Sequence, residues 1–153
     1  MAASKVREYF KKYNMDGKII VLNECTGTVK EAASALHCEE NEIAKTLSFN
    51  LNDEPILIVT AGNAKIDNAK YKYTFNTKAR MLAYDEVEKK IGHAVGGVCP
   101  FAICSNVKVY LDESLKKFEY VYPACGSDNT AIRLSLDELE KYSNYLKWID
   151  VTK

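Results

Sequence analysis

The chain is poor in the residues that staple or break structure. It has three prolines and seven glycines among 153 positions, which excludes collagen-like and low-complexity architectures. Its five cysteines, Cys25, Cys38, Cys99, Cys104 and Cys125, are odd in number and contain no Cys-x-x-Cys pair. A disulfide framework and a structural zinc site are therefore not indicated. Reduced thiols, small and apolar enough to be buried, are the plain expectation. Histidine is scarcer still, with only His37 and His93, so neither a metal nor another cofactor is expected. His93, just ahead of a glycine pair, reads as a loop residue rather than a base.

Two further absences bound the function. No apolar run approaches the roughly 20 residues of a membrane span, and the opening MAASKVREYFKKYN is charged and helical in pattern, unlike a secretory leader. A cytoplasmic protein with no membrane partner is expected. Lysine plus arginine equals aspartate plus glutamate, 21 against 21, so the broad basic footprint of proteins that grip long nucleic acid is missing. No DNA partner is expected, and an RNA partner would need a local basic patch.

What is present is ordinary for a folded domain: 47% apolar and 27% charged residues, in a chain of single-domain length. Val6, Phe10 and Tyr13 are spaced for an opening helix. A strand is predicted over 18–22, and a helix from Thr28, whose spacing to Glu31 is that of a capping box. A short helical start at 39–42 leads into a strand through Thr46, Leu47 and Phe49. A turn at 52–55 joins this to a strand at 56–59, making a hairpin. Residues 68–76 fit helix or strand, 80–82 a short strand, and 85–92 a helix ending at Gly92. Three strands follow at 107–111, 120–122 and 131–134, then a helix from Ser135 to about Tyr145 and an edge strand at 148–151. Strands and helices mix without strict alternation, so the expected class is α+β: a single domain, 1–153, around one mixed, partly barrel-like sheet flanked by helices.

Several stretches, in order, carry a resemblance. They are Thr28-Val-Lys-Glu-Ala-Ala33, Ile43-Ala-Lys-Thr-Leu47, Ala61-Gly-Asn-Ala-Lys-Ile-Asp67, Val95-Gly-Gly-Val-Cys-Pro-Phe101, Asp112-Glu-Ser-Leu115 and Pro123-Ala-Cys-Gly126. Together they resemble the YbaK-like editing family, which includes the editing domain of bacterial prolyl-tRNA synthetases and its free-standing relatives. The resemblance spans roughly residues 28–140. It implies a part-closed barrel with helices outside, and hydrolysis of the ester joining a wrong small amino acid, such as alanine or cysteine, to a tRNA 3′ end. It also implies aminoacyl-tRNA, with tRNA-Pro as the carrier, as substrate and prolyl-tRNA synthetase as a candidate partner.

The resemblance places the catalytic role on Lys45 and on Gly96 and Gly97. An aminoacyl ester is already activated, so the protein must hold it, stabilise charge on its carbonyl oxygen and position a nucleophile. Adjacent glycines can bring bare N–H groups to the ester. Lys45, a compact charge on a flexible stem, suits the phosphate or ribose of the terminal adenosine, or the ester itself. Thr28, Cys99, Pro100, Gly126 and Ser127 are expected to contact substrate, Cys99 as a pocket-lining residue rather than a nucleophile, since neither histidine has a sequence reason to pair with it. The stretch from Lys65 to Arg80 holds five cations and one acid. Lys65, Lys70 and Lys72, with Tyr71, Tyr73 and Phe75 between them, are expected to meet tRNA. The same pattern also fits a solvated face over a core-facing aromatic stripe.

Two departures matter. Ala102 stands where the family often has glycine, and the arginine-glycine-leucine-aspartate pattern of some cysteinyl-tRNA deacylases is missing around 126–130, with Ala131 where the aspartate would fall. Amino-acid specificity is left open. The competing readings are a non-catalytic module of the same fold that binds tRNA or a synthetase, and a cysteine-dependent hydrolase using Cys99.

Overall fold

The computed structural model describes residues 2–24 and 28–153; Cys25 lies outside them. The chain opens with α1 (Ala2–Lys11), β1 (Ile19–Val21) and α2 (Val29–Leu36), followed by the hairpin of β2 (Ile43–Leu51) and β3 (Glu54–Ala61). Next come α3 (Asn68–Phe75), α4 (Tyr84–Ile91) and β4 (Lys108–Asp112). The closing half holds β5 (Tyr120–Pro123), β6 (Thr130–Ile132), β7 (Leu134–Ser135), α5 (Leu136–Ser143) and β8 (Lys147–Ile149).

Six strands form one mixed sheet in the order β7-β5-β2-β3-β4-β8. The β2–β3 and β5–β7 pairs are antiparallel, and β2–β5, β3–β4 and β4–β8 are parallel. A two-stranded ribbon, β1–β6, is tied to it by a bridge between Ala124 and Ala131. The result is an α+β fold in which a mixed sheet curls into a half-barrel flanked by helices.

Local chemistry accounts for the elements. Asn52 and Asp53 take left-handed φ values of 51° and 68°, which a two-residue hairpin turn requires. The turn is thus tighter than the four residues expected, and Pro55 already lies in β3 opposite Asn50. Asn50 turns its own amide outward to Arg80, so Pro55 faces away from β2, where its missing N–H is harmless. Reciprocal capping boxes start α2 at Thr28/Glu31 and α5 at Ser135/Glu138. The ambiguous 68–76 segment is helical because the Asp67 carboxylate accepts the Ala69 and Lys70 amides.

Two expectations change. Residues 80–82 make a single bridge, Met81 to Phe49, rather than a strand. The expected strand at 131–134 breaks at Arg133, whose guanidinium lies 3.9 Å from the Tyr120 ring centroid; β6 then pairs with β1 and β7 with β5.

β3 is covered on both faces, as its unbroken apolar run requires. Leu57 and Val59 join a core with Val6 and Phe10 of α1, Val87 and Ile91 of α4, and Leu139 and Tyr142 of α5. Ile56 and Ile58 point the other way, toward Phe49, Tyr71 of α3, Tyr110 and Val151.

A buried carboxylate ties the far edge together. Asp112 is fully buried and accepts the Ser114 amide at 2.9 Å, the Val151 amide at 2.9 Å and the Thr152 hydroxyl at 2.7 Å. Removing it strands two amides and a hydroxyl away from water, and each orphan costs about 1–3 kcal/mol. Asp112→Ala is expected to lower unfolding free energy by about 3 kcal/mol or more in a urea titration.

Candidate functional site

Between β2, α2, α4 and the 95–98 loop lies a cavity of about 550 Å³, within the range of small-ligand sites. Its wall includes Thr28, Lys45, Thr46, Leu82, Gly96 and Ala131. Small side chains (Ala32, Ala44, Ala124, Ala131) shape part of the interior, and the exposed apolar residues Met81, Tyr84 and Val95 edge its mouth. Among the described wall residues, Lys45 is the one carrying a formal charge, and none is a carboxylate, imidazole or thiol.

Lys45 projects from β2 and donates to the Ala64 carbonyl at 2.5 Å. That carbonyl belongs to the 61–67 loop, so the loop fixes the direction of the stem. Burial disfavours the ammonium and the neighbouring Lys65 repels it, so the Lys45 pKa is lowered from the ordinary lysine value. Thr28 stands on the wall at the N-terminus of α2. Its hydroxyl is engaged with Glu31, accepting the Glu31 amide at 3.1 Å and donating to the Glu31 carboxylate at 3.0 Å.

The glycine pair divides. Gly96, with φ of 98°, is on the wall. Gly97 is not: its amide donates to the Ala94 carbonyl at 3.0 Å, and a Cβ there would sit 2.6 Å from the Ser127 backbone. Glycine is needed at 97 so that the loop can seat on the 126–127 segment, which differs from the expected role as a donor to substrate. Gly126 is buried beneath that contact. The Ser127 hydroxyl bonds Asn129 at 2.8 Å and Thr130 at 2.7 Å; Thr130, rather than Ser127, reaches the wall. Pro100 is buried and off the wall. The positive φ of 53° at Ala102 explains why glycine suits that position.

Cys99 is fully buried behind the wall rather than lining it. Contrary to the sequence expectation, a histidine does approach it: His93 Nε2 is 3.5 Å from Cys99 Sγ. The same nitrogen lies 2.7 Å from the Phe101 carbonyl, which only accepts, so Nε2 carries the proton and cannot take one from the thiol. Burial pushes the Cys99 thiol up to about 12 and lowers the His93 pKa. These are neutral core groups, without the depressed thiol pKa a nucleophile needs.

The expected tRNA-facing lysines are dispersed. Lys65 is exposed near Lys45, and Lys72 is exposed on α3. Lys70 is engaged by Asp150 at 3.1 Å and the Thr152 carbonyl at 2.8 Å. Of the interleaved aromatics, Tyr71 and Phe75 pack inward, with ring centroids 4.7 Å apart, and Tyr73 is 89% exposed. The core-facing stripe therefore describes two of the three rings. α3 packs on the face of β2–β3 opposite Leu82 and Val87.

Comparison with known proteins assigns this architecture. The model of the aminoacyl-tRNA editing domain matches residues 23–142, and the chain belongs to that family. It is 46% identical over 154 residues to the uncharacterized protein YwhH of Bacillus subtilis strain 168, a match covering 100% of this chain and 98% of YwhH. EbsC of Enterococcus faecalis, named as a candidate Cys-tRNA(Pro)/Cys-tRNA(Cys) deacylase, is 25% identical over 76% of this chain and 73% of its own. The crystal structure of a candidate trans-editing enzyme for prolyl-tRNA synthetase superposes with a TM-score of 0.88 at 27% identity, covering 99% of this chain and 97% of that one.

Thr46, Leu82, Ala124 and Thr130 also stand on the wall, although no sequence motif singles them out. Thr46 adjoins Lys45 in the chain, which is the one local signal; the others arrive from remote elements. Burial of the thiols gives a direct test. Cys99 and Cys125 are buried, whereas Cys38 and Cys104 are half-buried; iodoacetamide on the native protein is expected to leave Cys99 and Cys125 unmodified until denaturant is added and to label Cys104 ahead of Cys38, whose thiol pKa burial pushes up to about 11, as read by mass spectrometry.

Proposed function

We propose that this chain is a free-standing deacylase that hydrolyses the ester of mischarged tRNA carrying a small amino acid such as alanine or cysteine, on tRNA-Pro. The observation that carries the reading is that Lys45 is the one charged side chain among the described wall residues of a mainly apolar cavity, part of whose interior is shaped by alanines. Its ammonium attracts the terminal phosphate or polarises the ester. Water adds to the ester carbonyl, and the ribose oxygen leaves with a proton, giving free amino acid and tRNA. An apolar pocket can be shaped to admit small side chains, and one methylene is worth about 1–3 kcal/mol in such a place. Rejection of the correct, bulkier amino acid then rests on shape. The names borne by EbsC and by the superposing structure support the substrate class and make prolyl-tRNA synthetase the partner to test first.

The lack of a carboxylate, imidazole or thiol on the described wall favours a second reading, a binding module without turnover. A panel of tRNAs charged with alanine, cysteine, serine, proline and threonine decides between them. Selective loss of one small amino acid is expected, and Lys45→Ala should lower that rate by roughly 100-fold with thermal stability retained. An inert parent protein would select the binding module.

The charge state of Lys45 gives a second prediction. Since its pKa is lowered by burial and by Lys65, the ammonium is lost as pH rises through that lowered value. Activity is expected to fall on the alkaline side at a pH below that of an ordinary lysine. Lys65→Ala removes the repulsion and should move the fall to higher pH, but only part of the way, because burial remains. A pH–rate profile in which the two proteins coincide would separate the alkaline limb from Lys45.

A further inference from the structure

The edge of β2 has a gap. On one side its parallel ladder with β5 stops at Ala44, paired to Pro123. On the other side the 80–82 segment arrives only at Ser48, which accepts the Leu82 amide at 3.2 Å, and at Asn50, whose amide donates to Arg80 at 2.7 Å. Main-chain groups of a strand alternate in direction with period two. Ser48 and Asn50 face outward, so Thr46 faces outward as well, while Lys45 and Leu47 turn theirs to β3, opposite Thr60 and Ile58. No described residue pairs with β2 at this step. The Thr46 hydroxyl is buried and also has no partner. A folded chain leaves few such groups unmatched, and these belong to one residue on the cavity wall next to Lys45.

Resting on the deacylase reading, we propose that the Thr46 main chain is the station that holds the aminoacyl group. The α-ammonium and carbonyl of an esterified amino acid have the spacing of one residue's donor and acceptor. They can pair with one residue of an open strand edge as antiparallel neighbours do, each residue giving and taking one bond. The Thr46 N–H donates to the ester carbonyl oxygen, and the Thr46 carbonyl accepts from the α-ammonium. This supplies the oxyanion-side donor that Gly97, with its amide already committed to Ala94, does not. Such an amide is fixed before substrate arrives and favours charge developing on the carbonyl oxygen. Side chains do not enter this contact, so it grips any L-amino acid alike and leaves discrimination to the apolar walls of the cavity.

Amide hydrogen exchange of the full chain, followed by NMR, tests the assignment. In the free protein the Thr46 amide should exchange at least about 10-fold faster than those of Lys45 and Leu47, which are held by β3. Saturation with 3′-alanylamino-3′-deoxyadenosine, in which an amide replaces the ester, should slow Thr46 by about 10-fold or more. A second arm replaces Thr46 by its α-hydroxy acid, which removes the N–H and leaves the Lys45 carbonyl, turned to β3, a weaker acceptor. A drop of roughly 100-fold in kcat/KM with the fold retained is expected; a kcat/KM within a few-fold of the parent's would overturn the proposal. Thr46 protection equal to its neighbours in the free protein, or unmoved by a probe that shifts other cavity resonances, would also overturn it. If the probe shifts no cavity resonance, the aminoacyl-adenosine reading itself fails and this proposal falls with it.

Discussion

The antiparallel ladder between β2 and β3 is the constraint on which the other arrangements depend. It runs unbroken from Ala44/Ala61 to Leu51/Glu54, and it gives β3 two apolar faces that must both be covered. The helices α1, α4 and α5 answer one face and α3 the other. The outer edge of β2 is then shared by two unrelated partners, β5 and the 80–82 segment, which approach from opposite ends and do not meet. The cavity opens where they part. A site made this way owes its shape to a sheet that could not be completed, and the cost of the unpaired groups is carried by the packed faces behind it.

The chemistry of the cavity follows from the same geometry. Lys45 stands at the gap, half sheltered by the sheet, so burial acts on its ammonium before any ligand is present. Residues with the nucleophilic chemistry that might have been enlisted, Cys99 and His93, are enclosed in the core below the 95–101 loop, bonded to the Phe101 carbonyl and uncharged. The wall thus offers charge, hydrogen-bond donors and acceptors, and shape. This suits an ester that is already reactive, where holding the reactant contributes much of the acceleration.

Much of the fold was legible because its local signals are strong. The Thr28/Glu31 and Ser135/Glu138 spacings forecast helix starts that the structure reproduces, and the apolar run at 56–59 forecast a strand, which lies in β3. Failures fell where tertiary partners decide. Nothing in residues 131–134 announces that Arg133 will turn aside onto Tyr120 and divide one strand between two ladders. For the candidate site, the ordered motifs named Lys45, Thr28 and Gly96, which the fold places on one cavity wall. They could not separate Gly96 from Gly97, because the difference lies in the Ser127 backbone 2.6 Å from the second glycine's missing side chain. Cys99 was misplaced for a similar reason, since its surroundings come from His93 and the 125–126 segment rather than from its own motif.

The hydrogen bond from Lys45 to a neutral carbonyl rather than to an acid has an electrical consequence. No described carboxylate cancels the charge within the wall, so an anion entering the cavity from the medium would meet an uncompensated ammonium, and the attraction between them would weaken with the ionic strength of the buffer.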